Sequence, residues 1–73
     1  MNFKNMKIEI NQEQQLDEVL IELKRLGYEL AGFVCLFNPK TYVCTNVGGR
    51  FTTLKNPPAY CIETTLAELK EMK

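Results

Sequence analysis

The chain has no histidine, no net charge, and no apolar run long enough for a membrane helix. Each absence removes a class of function. Without histidine, the side chain that titrates nearest neutrality is missing. Acid–base chemistry would fall to Glu, Lys, Tyr or Cys, and no pair of these stands out by spacing. No catalytic residue is assigned, and no enzyme is expected. The longest apolar run, Leu30 to Phe37, falls far short of the ~20 residues that span a bilayer. Nine basic side chains cancel nine acidic ones. A duplex nucleic-acid binder needs a basic face to neutralise phosphates, so that class is disfavoured. Single strands stacking on strand aromatics meet the same objection. The opening stretch from Met1 to Ile10 lacks the apolar core of a signal peptide. A reducing cytoplasm is therefore expected, and structural disulfides are not.

What is present reads as one folded unit. Apolar residues make up 45% of the 73 and charged residues 25%, proportions of a globular chain rather than a disordered one. At this length a single core only just suffices. Met6 reads as an alternative start, with residues 1–5 a loose leader and 6–73 the domain.

Met6 to Ile10 alternates apolar with polar, the period of a half-buried strand. Asn11 with Gln14 suits a helix N-cap and its capping-box partner. Leu16, Val19, Leu20, Leu23 and Leu26 then recur at three- and four-residue steps, on one stripe of a helix that Gly27 ends. Tyr28 to Phe37 reads as a strand, and Asn38-Pro39-Lys40-Thr41 as a turn. Tyr42 to Val47 and Arg50 to Leu54 read as strands joined by a two-residue Gly48-Gly49 loop. Asn56-Pro57-Pro58 breaks regular structure. Tyr60 to Ile62 suits a short edge strand, and Thr65 with Glu68 makes a capping box for a closing helix whose Leu66, Leu69 and Met72 face inward. The order β-α-β-β-β-α predicts an α+β fold, a mainly antiparallel sheet with both helices on one face.

A short turn at 38–41 would set Cys35 opposite Cys44, close enough for a disulfide, against which the cytoplasm works. Three cysteines, no histidine and no C-x-x-C spacing make a poor zinc site, and a nucleophilic cysteine lacks its usual base. The cysteines read as packing residues; no metal or cofactor is assigned.

With a two-residue loop, one sheet face carries Val34, Leu36, Val43, Val47 and Leu54. The other carries Phe33, Cys35, Phe37, Tyr42, Cys44 and Phe51. If the helices take the aliphatic face, the aromatic one stays uncovered, and large apolar patches mark association surfaces. Phe33, Phe37, Tyr42 and Phe51 are accordingly the candidate interface for a homo-oligomer or a protein partner. The plainer alternative is that residues 57–60 cover them. Tyr42, Asn46, Arg50 and Lys55, with Lys40, cluster around the two hairpins and suit a nucleotide, phosphate on the cations and base on the ring. Solvated hairpin tips would look the same.

The segments QLDEVLIELKRLGYELAG (15–32), YVCTNVGGRFTTL (42–54) and ETTLAELKEM (63–72) set out a helix ending in Leu-Gly-Tyr, a glycine-turn hairpin and a closing helix. In this the chain resembles small phage- and prophage-encoded accessory proteins. The resemblance implies action by binding, either occupying a host protein in the cytoplasm or sequestering a nucleotide used in host defence. It implies no particular functional residue.

Overall fold

Alternation in Met6–Ile10 produces strand β1, whose Met6 and Ile8 are buried. The computed structural model describes residues 3–72; residues 1, 2 and 73, at the ends of the expected leader and domain, lie outside the described residues. Helix α1 spans Leu16–Arg25 and buries Val19 and Leu23. Its C-terminus is closed by two bonds, from the Gly27 N–H to the Lys24 carbonyl (3.1 Å) and from the Tyr28 N–H to the Leu23 carbonyl (2.9 Å), the Schellman arrangement that Gly at this position favours. Asn11 does cap, but one turn early. Its Oδ1 accepts from the N–H groups of Glu13 and Gln14, while Gln15 precedes the helix without a side-chain cap. Gln14 completes no capping box. Its amide instead donates to the Glu9 carbonyl and accepts from the Leu66 N–H, 52 residues away.

Strand β2 is short, Glu29–Leu30; β3 is Thr41–Thr45, β4 Arg50–Leu54 and β5 Ile62–Glu63. Helix α2, Leu66–Glu71, opens with the expected capping box. The Glu68 N–H donates to Thr65 Oγ1 and the Thr65 N–H to Glu68 Oε1, both at 3.1 Å. The sheet order is β2-β4-β3-β1-β5. β1–β3 and β3–β4 are antiparallel, while β1–β5 and β2–β4 are parallel. The fold is α+β as expected, with a mixed rather than mainly antiparallel sheet. Both helices lie on one face, over a core of Met6, Ile8, Val43 and Phe51 capped by Val19, Leu23, Leu66 and Leu69.

Three expectations are corrected. First, β2 stops at Leu30 and joins the far edge beside β4, so no hairpin runs from β2 into β3. Residues 31–40 form an irregular excursion pinned by side chains. The Cys35 N–H donates to Thr53 Oγ1 (2.9 Å), and the Phe37 N–H donates to Thr41 Oγ1 (2.6 Å). Second, the β3–β4 loop has three residues. The Asn46 N–H donates to the Arg50 carbonyl and the Gly49 N–H to the Asn46 carbonyl, with Gly49 at φ 83°, the three-residue hairpin whose last position is left-handed. Thr45 therefore faces Phe51 and Val43 faces Thr53. One residue of slip exchanges the faces of β4, so Phe51 enters the core at 1% exposure and Leu54 joins Tyr42 and Cys44. Third, residues 3–5 are no loose leader. The Phe3 ring packs edge-on against Tyr28 at 4.8 Å, and Thr45 Oγ1 donates to the Lys4 carbonyl and accepts from the Met6 N–H.

Candidate functional site

The face opposite the helices is built by strand alternation. Tyr42 and Cys44 on β3 and Thr52 and Leu54 on β4 point there, since their partners in the register alternate with the buried Val43 and Thr53. The chain from Lys55 to Cys61 crosses from β4 to the opposite edge of the sheet, where the Ile62 N–H meets the Asn5 carbonyl. In crossing, it lays Pro58 and Cys61 over this face, closing off Cys44 (6% exposed) and Cys61 (7% exposed). Between crossover and sheet remains a cleft of about 140 Å³. Cys44, Leu54, Pro58 and Cys61 line it with Thr52 and Ala31, and Arg50 and Tyr60 stand beside them. The segment thus meets this face at Cys44 and does not cover the four aromatics as a group: Phe51 is buried under the helices and Phe33 is 87% exposed.

The four candidate ligand residues are not brought together. Asn46 and Arg50 border the cleft, while Tyr42 and Lys55 line a separate hollow with Pro39, Lys40 and Asn56. Four strand residues span ~13 Å, which places Tyr42 and Asn46 at opposite ends of β3. Asn46 is moreover engaged in the loop, its Oδ1 accepting from the N–H groups of Gly48 (2.9 Å) and Arg50 (3.2 Å). Lys40 pairs with Glu9 at 3.6 Å. A nucleotide held by all four candidates would need two chains.

The candidate interface is divided as well. Phe51 lies under the helices, and Phe37 and Tyr42 are half-buried. Phe33 is 87% exposed, and Leu36, which sequence reasoning had placed on the helix-facing side, is 71% exposed. Both belong to the 31–40 excursion. Leu30 and Val34 add partly exposed apolar surface on either side of Phe33. Leu36 was missed because a strand was expected there, and alternation then assigns faces that an irregular segment does not have.

Cys35 and Cys44 do not oppose one another. Cys35 is exposed and bonded through its N–H to Thr53, on the helix side of β4, whereas Cys44 is buried on the other side. Among the described residues no three His, Cys, Asp or Glu side chains gather as a metal site, and no helix is long and apolar enough to cross a membrane. The Cys44 thiol is pushed up to about 11 from 9.0, by burial first, then by the Cys61 thiol beside it, with Lys7 opposing. A raised thiol pKa means that the folded state holds its proton more tightly than the unfolded chain does. The associated stability is therefore complete below pH 9 and is lost as pH rises through 11. The loss amounts to about 2–3 kcal/mol, at 1.36 kcal/mol per pH unit. Urea titrations at pH 8 and pH 11 check this: wild type should lose that much more than Cys44→Ala. Equal losses in the two proteins would rule out a buried, protonated Cys44.

The class defined by these features is a small α+β domain with a mixed five-stranded sheet, one helical face and one face crossed by a loop. The chain matches no family model, curated protein or solved structure in comparison with them.

Proposed function

We propose that the chain is a small accessory binding module of phage type, one that assembles with itself and modulates a protein of its host. The observation that carries this reading is the apolar 31–37 excursion, with Phe33 87% and Leu36 71% exposed. Apolar side chains of this size, grouped on one surface segment, mark association sites rather than solvated loops. Binding rather than catalysis also suits the Cys44 thiol, which is moved away from its reactive thiolate form. The alternative function, sequestration of a nucleotide at a subunit junction by Tyr42, Lys55 and Arg50, depends on the same assembly.

Sedimentation velocity over a wide concentration range tests the proposal. Wild type should sediment above the monomer mass, and the Phe33→Ser/Leu36→Ser double variant should return to the monomer with an unchanged circular dichroism spectrum. Wild type that stays monomeric throughout eliminates self-assembly and, with it, the junction site.

A further inference from the structure

The cleft on the open face and the most exposed aromatic in the chain are two residues apart. Ala31 lines the cleft, and Phe33 follows it across Gly32. We infer that the cleft is a socket for the phenyl ring of Phe33 from a second copy of this chain, so that two copies exchange rings across a two-fold axis. This rests on the self-assembly proposed above and names the residues that would perform it.

Size, chemistry and symmetry support the exchange independently. A cavity of about 150 Å³ holds benzene, and the cleft measures about 140 Å³, room for one phenyl ring. Cys44, Leu54, Pro58 and Cys61 supply the apolar part of its lining, beside the polar Thr45 and Asn46, and a phenylalanine ring seated against them is removed from water. Arg50 borders the cleft and has no carboxylate partner among the described residues. Its guanidinium is thus free to lie against the face of an incoming ring.

The ring cannot be tucked into its own socket in the structure described, because Phe33 stands 87% in solvent. The Cα atoms of Ala31 and Phe33 are at most ~7 Å apart, so the segment that carries the ring starts from the wall of the socket. A two-fold rotation beside the β2 edge places each ring at the other chain's socket. The pairing is then closed and isologous, and it generates a dimer rather than a filament. Leu30 and Val34, flanking Phe33 and partly exposed, would border the contact, and β2 is the outermost strand on that side.

Complementation tests this. Phe33→Ser removes the ring and leaves the socket; Thr52→Phe keeps the ring and fills the socket from the β4 side. Loss of one buried aromatic anchor weakens association about thirtyfold, and each variant loses two in a symmetric pair. Each alone should therefore run as a monomer in native mass spectrometry where wild type is a dimer. Mixed in equal amounts, they should form a heterodimer holding one intact contact, recognised by its intermediate mass. Ala31→Leu fills the same socket and replaces Thr52→Phe if that variant does not fold. If wild type and both variants are equally dimeric, the ring exchange is wrong while self-assembly stands. If the variants are monomeric but never form the heterodimer, the exchange is likewise overturned. A wild type that is monomeric at every concentration removes both.

Discussion

Phe51→Ala should lower the stability of the domain by about 3–5 kcal/mol, the cost of truncating a fully buried phenylalanine. The ring is 1% exposed and belongs to the same cluster as Met6, Ile8, Val43 and Leu23. A domain of this size has on the order of 4–11 kcal/mol in all, so the variant sits near the edge of folding. Each 1 kcal/mol shifts the midpoint of a small domain by about 4–8 °C, and thermal melts followed by circular dichroism should show a fall of roughly 12 °C or more. The experiment also reads the hairpin register. With a two-residue loop the ring would lie on the open face, where truncation costs about 1 kcal/mol or less. A loss that small would refute the three-residue loop and, with it, the position of the socket.

Gly49→Ala should cost about 2–5 kcal/mol, from two separable sources. At φ 83° a Cβ brings a left-handed penalty of about 1–2 kcal/mol. It would also stand 2.8 Å from Phe3 Cε2, and overpacking of that kind costs about 1–3 kcal/mol. Gly32 is the control, at φ 84° with nothing within 4 Å of an added Cβ; Gly32→Ala should lose only the backbone part. Urea unfolding of the two variants measures the difference, which is the contribution of Phe3 packed between the hairpin and Tyr28. Equal losses would mean that Phe3 yields freely and that the N-terminal segment is not held to the fold.

The local devices were legible because they act over a few residues. Thr65 and Glu68 satisfy each other's orphan backbone groups wherever the helix ends up, and Gly27 closes α1 by bonds to its own last turn. The Leu16–Leu26 stripe needed only helical spacing. The hairpin failed at one residue. Gly48-Gly49 permits a two- or a three-residue loop, the choice inverts every side chain of β4, and burial of Phe51 decides it. The threonines were legible only in retrospect. Thr41, Thr45 and Thr53 are buried on the helix side, and each bonds a backbone group of a segment without ladder partners, a use that β propensity alone does not reveal.

The candidate sites divide in the same way. The distance between Tyr42 and Asn46 follows from strand rise and could have been read from their numbering. The meeting of Cys44, Pro58 and Cys61 could not, because a crossover over two strands, β3 and β1, leaves no periodic trace in the residues that make it. The sequence by itself determined the α+β class, both helices with the C-terminal end of α1 and the N-terminal end of α2, and the absence of histidine, since propensity, capping and composition are short-range or additive. Tertiary structure alone decided that β2 pairs with β4, that Phe51 rather than Leu54 fills the core, and that Phe33 stands in solvent two residues after the cleft-lining Ala31. These depend on which surfaces meet, and the free energy of burial selects among alternatives that local signals leave equal.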